Sequence, residues 1–202
     1  MTAVEMQHSF QSKLQGLNYD PLLFDTYRVQ RLLNEAQNIF VDKYAPEYEG
    51  SELVRKKLSI LVKQASVVPT ATGTDNLGTN GLFITLPTDL RYVLMEYALT
   101  ATTTLKVKPI KYDDYLIDKD NPFKKPDSAL VWRLDIGTSL RHELITDGVV
   151  VLTYYKARYI SNPIDIDLFA GTACTLLAKD HEEIVNIALS LISTSNENKN
   201  KT

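Results

Sequence analysis

The chain has 202 residues, 44% hydrophobic and 23% charged, with 22 Lys and Arg against 25 Asp and Glu and a net charge of −3. A chain of this size buries roughly 70% of its unfolded surface, so its core needs no disulfide or metal, and the single Cys174 has no partner for an internal bridge. The slight acidity argues against an affinity built on neutralising many phosphates. The first residues lack the charged and apolar regions of a signal peptide, and apolar runs such as Val149–Leu152 are too short to span a bilayer. The expectation is a product that stays inside the cell or joins a particle assembled there. Eleven tyrosines are an excess, of the kind found where a ring is half buried and half wet.

Asp20-Pro21 reads as a helix start, and Leu22, Leu23, Leu32, Leu33, Ala36, Phe40 and Tyr44 follow at helical spacing, which predicts a helix over about 21–45 ending near Pro46. Ser51 caps a second helix carrying Leu53, Val54, Leu58, Leu61, Val62 and Ala65 on one side, so the two form a helical hairpin. Pro69 to Gly81 is polar and glycine-rich, a long loop suited to contact a neighbour. Leu82–Leu86 reads as a short strand, Thr88 caps a brief helix with Leu90, Val93, Leu94 and Tyr97, and 100–110 is strand-like up to Pro109. One helical turn over 111–116 precedes the break at Asn121-Pro122-Phe123, and strands follow at 129–135 and 140–146. Asp147-Gly148 has the signature of a two-residue hairpin turn and predicts antiparallel pairing of 140–146 with 149–158. Asp180-His-Glu-Glu183 reads as a capping box opening a helix over about 181–194.

The fold class expected is therefore α+β: an N-terminal helical hairpin, a small antiparallel β-domain and a C-terminal helix. Its divisions are a helical part at 1–68, a polar loop at 69–81, a β-rich part at 82–180, the helix at 181–194 and a flexible tail at 195–202.

No enzyme constellation survives inspection. His8, His142 and His181 are far apart, and His181-Glu182 begins like a zinc-protease helix but has Val185 where the second histidine belongs. Gly73 to Gly78 has the glycine spacing of a phosphate-binding loop, yet Thr79 and Asn80 stand where lysine and a hydroxyl residue are needed. The acidic groups Asp113, Asp114, Asp118 and Asp120, and Asp165 with Asp167, lack the glycine turn and terminal glutamate of a calcium loop. Cys174 reads as a small buried residue. No cofactor is expected.

The order of several motifs resembles the tail and neck ring proteins of crAss-like bacteriophages. The motifs are Leu86-Pro87-Thr-Asp89-Leu-Arg-Tyr92, Asn121-Pro122-Phe123-Lys-Lys-Pro126, Val131-Trp132-Arg133, Leu152-Thr-Tyr-Tyr-Lys-Ala-Arg-Tyr159 running into Asn162-Pro163-Ile164-Asp165, and Cys174-Thr-Leu176 ahead of His181–Val185. Asn34-Glu-Ala-Gln-Asn38-Ile-Phe40 is similar too, and together they cover roughly residues 25–192.

The resemblance implies a non-enzymatic virion subunit, a head-to-tail connector ring of the tail barrel beneath the portal, assembled in the host cytoplasm. It implies twelve copies, contacts with the portal or neighbouring ring proteins, no membrane, and genomic DNA passing through the lumen without specific binding. Candidate interface residues are Tyr44, Pro69, Gly73, Asn76, Gly78, Phe123, Tyr154, Tyr155 and Tyr159. Candidate lumen residues are Asp113, Asp114, Asp165 and Asp167. Two other readings are a metal-dependent hydrolase using the aspartates and a monomeric binding module using the 69–81 loop.

Overall fold

The computed structural model describes residues 1–21, 24–70, 82–135 and 141–199, with side chains to Ile192. Helices and a mixed sheet give an α+β fold, arranged as two compact units: residues 1–62 with 162–202, and residues 63–161.

The first unit is helical. Helix α1 (Ala3–Gly16), which the sequence reading did not anticipate, opens on a capping box. There Glu5 N donates to Thr2 Oγ1 at 3.2 Å and Thr2 N donates to Glu5 Oε2 at 2.7 Å. Ala3, Met6, Phe10 and Leu14 form its buried stripe. Helix α2 (Thr26–Tyr44) starts at Asp25, whose carboxylate accepts from Arg28 N at 2.7 Å, five residues later than the predicted start at Pro21. Leu22 and Leu23 lie outside the described residues. Helix α3 (Glu52–Leu58) is capped by Ser51 as expected but ends at Leu58. A single turn over Ser59–Leu61 then leads into strand β1 (Val62–Val67), where the apolar spacing through Val62 and Ala65 predicts more helix. Helix α5 (His181–Lys199) runs past the predicted end at 194 and packs on α1 and α2 through Ile184, Val185 and Ala188.

Between α2 and α5 runs an extended segment held by side-chain amides. Gln30, Asn34 and Gln37 lie on one face of α2, at spacings of four and three. They grip alternate residues of the segment. Gln37 Nε2 donates to Ile164 O at 2.9 Å, Asn34 both donates to Ile166 O at 3.0 Å and accepts from Ile166 N at 2.7 Å, and Gln30 accepts from Leu168 N at 2.9 Å. The amides supply the backbone bonds that a neighbouring strand would otherwise provide.

The second unit is built on seven strands: β1, β2 (Leu82–Thr85), β3 (Leu90–Leu99), β4 (Thr104–Ile110), β5 (Leu130–Asp135), β6 (Arg141–Ile145) and β7 (Tyr154–Ser161). Their spatial order is β1-β7-β3-β4-β5-β6-β2, with β4 and β5 parallel and the pairs β2–β6, β3–β4, β3–β7 and β5–β6 antiparallel. Flat, the two edges would stand about 29 Å apart. Yet Thr70, three residues beyond β1, exchanges both backbone bonds with Phe83 of β2 at 2.9 and 2.7 Å. Three residues span at most ~10 Å, so the sheet curls until its edges nearly meet, as an incomplete barrel. Ile84, Ala98, Leu105, Val131, Leu144 and Tyr155 fill its inner face. On the outer face helix α4 (Tyr112–Asp118) covers a smaller cluster in which Tyr115 meets Trp132 edge-on, ring centroids 6.2 Å apart.

Two expectations fail here for physical reasons. Residues 90–99 form strand β3 instead of a helix after Thr88, because pairing on both edges outweighs a helical spacing of apolar residues. Asp147-Gly148 does turn the chain, with Gly148 at φ 84°. However, the Asp147 carboxylate takes the amides of Val149 and Val150 at 3.0 and 2.9 Å, so no strand follows directly. Strand β6 pairs with β2 and β5, while β7 begins at Tyr154 and pairs with β3.

Candidate assembly surfaces

Several tyrosines that the sequence offered for contact with neighbours are engaged inside the subunit. Tyr155 is fully buried in the barrel and its hydroxyl donates to Glu96 Oε2 at 2.7 Å. Arg133 Nε donates to the same oxygen at 2.6 Å, and Arg133 Nη1 lies 3.2 Å from His142 Nδ1. Because the guanidinium can only donate, Nδ1 accepts and the proton sits on Nε2. Burial, then the Arg133 charge, lowers the His142 pKa and keeps the ring neutral. Burial and the adjacent Glu96 carboxylate raise the Tyr155 pKa, so the hydroxyl stays protonated. The barrel thus encloses one paired charge with its lone pairs satisfied, the condition under which a buried ion pair is tolerated.

Tyr159 donates to Asp89 Oδ1 at 3.1 Å, and Lys63 donates to Asp89 Oδ2 at 2.7 Å. In the helical unit Glu183 accepts from Tyr44 Oη at 2.6 Å, Lys57 at 2.6 Å and Lys43 at 2.9 Å. Burial would raise its pKa, but these three donors outweigh that and hold the carboxyl down at about 2. The capping box read at Asp180 and Glu183 thus gives way to tertiary bonding. Lys13 similarly binds Glu182 and donates to Asn186 Oδ1 at 2.8 Å, joining α1 to α5.

Other residues do face outward. Phe123 is 96% exposed, Tyr154 is exposed on β7, and Pro69 is half-buried. Gly73, Asn76 and Gly78 lie outside the described residues. Asp113, Asp114, Asp120 and Asp165 are exposed, whereas Asp118 is buried against Lys124 at 2.8 Å. Asp167 is spent on its own turn, accepting from Phe169 N and Ala170 N at 2.8 and 3.0 Å. Among the described residues no group of three or more His, Cys, Asp or Glu is arranged to hold a metal ion, and no helix is long and apolar enough to cross a membrane. His181 is buried with Nε2 2.8 Å from Leu176 O. Cys174 Sγ donates to Gln37 Oε1 at 2.9 Å, and burial pushes the thiol up to about 11.

Two outward surfaces of the barrel unit were not singled out from the sequence. Strand alternation places Lys106 and Lys108 of β4 and Lys156 and Arg158 of β7 on the outer face, with Tyr97 and Met95 of β3 between them. Tyr97 is directly opposite both Lys106 and Lys156, and Met95 is opposite Arg158. The signal was present in Leu105-Lys-Val-Lys108 and Tyr155-Lys-Ala-Arg158, where apolar and basic residues alternate with period two. The second surface is the ridge of α4, where Asp113, Leu116 and Ile117 lie three and four residues apart and face away from buried Tyr115 and Asp118.

Comparison with known proteins places this arrangement. The family model described as phage tail ring protein 3/4 matches residues 1–202. The chain is similar to "Ring protein 3" of Bacteroides phage crAss001, 31% identical over 185 residues, covering 83% of this chain and 79% of that protein. It is also similar to "Ring protein 4/5" of the same phage, 31% identical over 152 residues, covering 69% of this chain and 63% of that protein.

Proposed function

The chain belongs to the phage tail ring protein 3/4 family, and from that premise we propose that it forms a closed ring of the tail barrel or neck beneath the portal. Its role is structural, in the virion. The observation that carries the ring reading is the family match over residues 1–202. In this reading twelve copies close head to tail, each using one patch against a different patch of the next. Neighbouring tail ring proteins or the portal cap the ring above and below, and it serves them as a platform for assembly. Genomic DNA passes through the lumen without specific binding. The net charge of −3 supports that last point, since a lining without excess cations does not accumulate phosphates. Exposed Asp113, Asp114 and Asp165, together with Asp167, are the carboxylates proposed to face the lumen. Assembly takes place in the host cytoplasm. Catalysis has no part in this reading, and the aspartates act as charge, without a metal.

The test is reconstruction of the particle that carries this protein. A twelvefold ring in the tail or neck, built of this chain, supports the reading. A particle from which the chain is absent, as judged by mass spectrometry of purified virions, overturns it.

A further inference from the structure

The outer face of the barrel unit gathers cations that have no ion-pair partner among the described residues. A hollow of about 430 Å³ lies there, centred on β7 with β1 on one side and β3 on the other, and lined by Gln64, Ser66, Met95, Tyr97, Lys156 and Arg158. The strand registers fix the layout. Tyr97 stands between Lys156 and Lys106, Met95 is opposite Arg158, and Lys108 follows Lys106 two residues along the same face of β4. Strands ~4.8 Å apart, rising ~3.4 Å per residue, put the four cations within roughly 10 by 7 Å at their Cα atoms. No ion pair among the described residues involves any of the four. Strands β1, β3, β4 and β7 carry one acidic residue, Glu96, and its carboxylate is turned into the barrel towards Arg133 and Tyr155. Around α4, by contrast, exposed charge is mixed, with Lys111, Lys119 and Lys125 beside Asp113, Asp114 and Asp120. Four like charges this close repel one another, and a ligand bearing several negative charges relieves that repulsion.

We propose that this face turns to the lumen of the ring and contacts the phosphate backbone of the passing DNA. The proposal rests on the ring reading and names the surface that the DNA meets. Composition selects nucleic acid over a protein neighbour. Lysine is depleted in protein interfaces, and three of the four cations are lysines. Lysine and arginine together with hydroxyl and amide groups, here those of Tyr97, Ser66 and Gln64, are the groups that hold phosphate oxygens. A duplex carries one charge per ~1.7 Å of axis, so a patch ~10 Å long meets several phosphates at once. Backbone contacts of this kind read no bases, in keeping with passage that is not sequence-specific. The four cations are a local exception in a chain of net charge −3, so the hold is weak and the DNA is guided along the wall without being retained.

The test measures binding of a short fluorescent DNA duplex to the full chain by anisotropy, at a dilution below self-association and over a range of salt. Four contacts at −0.9 each give a slope of log affinity against log salt of about −3.6, a loss of about a hundredfold between about 50 and 200 mM. Lys106→Gln or Lys156→Gln alone makes the slope shallower by about one. Lys106→Gln, Lys108→Gln, Lys156→Gln and Arg158→Gln together lower the affinity at least about tenfold. Changing four exposed lysines elsewhere, Lys56, Lys119, Lys125 and Lys179, to glutamine leaves the slope in place. All these positions are exposed or half-exposed, and circular dichroism checks that each variant folds. A chain that forms rings in the particle but binds no duplex, or equal losses from both sets of four, overturns the contact and leaves the ring reading intact. Duplex binding that maps to this face in a chain absent from virions overturns the ring reading and the lumen placement with it. Variants of the basic face that keep duplex binding but no longer assemble with the other tail ring proteins of the phage assign the face to protein and overturn the proposal.

Discussion

Glu183→Gln is expected to destabilise the helical unit in a strongly pH-dependent way. The carboxylate accepts from Lys57, Tyr44 and Lys43, which joins α5 to α2 and α3. Lys57 is only 13% exposed and keeps a second acidic neighbour, Asp180, at 3.8 Å. A carboxyl held at about 2 instead of its ordinary 4.5 corresponds to about 3 kcal/mol of stability at neutral pH. Glu183 is 30% exposed, and solvent screening reduces this to about 2 kcal/mol. The folded state binds the proton less readily than the unfolded state, so the stabilisation is complete above the unfolded value and disappears as pH falls from 4.5 towards 2. Urea titrations at pH 7, at a dilution below self-association, should show the variant less stable by about 2 kcal/mol, equivalent to a melting point lower by about 4 to 8 °C for a chain of this size. At pH 2.5 the gap should shrink to under about 1 kcal/mol. Equal losses at the two pH values, or no loss at pH 7, would refute the assignment of the network.

Asn34→Ala removes both bonds to the Ile166 peptide and should cost about 2 to 3 kcal/mol, because one buried N–H and one C=O lose their partner. Asn34→Asp, which keeps only the acceptor, should fall between Ala and the native residue in thermal melts. Tyr155→Phe leaves the barrel packing in place but deprives Glu96 of one of its donors, with an expected loss of about 1 to 3 kcal/mol. Native-state hydrogen exchange of β3 and β7 should accelerate in that variant, while unchanged exchange would mean that the hydroxyl bond contributes nothing.

What the sequence showed depended on how local the deciding interaction is. The Ser51 cap, the alternating strand at 104–110, the strands near 130 and 141, and the C-terminal helix follow from neighbours within a few residues, and each is present. The resemblance to crAss-like phage ring proteins, carried by the order of motifs through residues 25–192, agrees with the family match. Strand β3 was hidden because Leu90, Val93, Leu94 and Tyr97 satisfy a helical period, and only pairing with β7, some sixty residues away, decides otherwise. The hairpin at Asp147 failed for the opposite reason: a local carboxylate bond outcompeted the turn type that the dipeptide favours. Among the tyrosines, composition marked an excess, yet burial separates Tyr155 and Tyr159, which serve the core, from Tyr154, which faces outward. The amide clamp of Gln30, Asn34 and Gln37 could be read as a polar stripe on α2, but its partner segment at 164–168 lies more than a hundred residues on.

The central claim is that copies of this chain close into a ring in the phage tail. Reconstruction of the intact particle at a resolution that traces this chain tests it most directly. The account predicts a closed twelvefold ring of this chain in the tail or neck. A particle in which the chain is present but occurs as isolated copies, or in a ring of another protein's subunits, would contradict it.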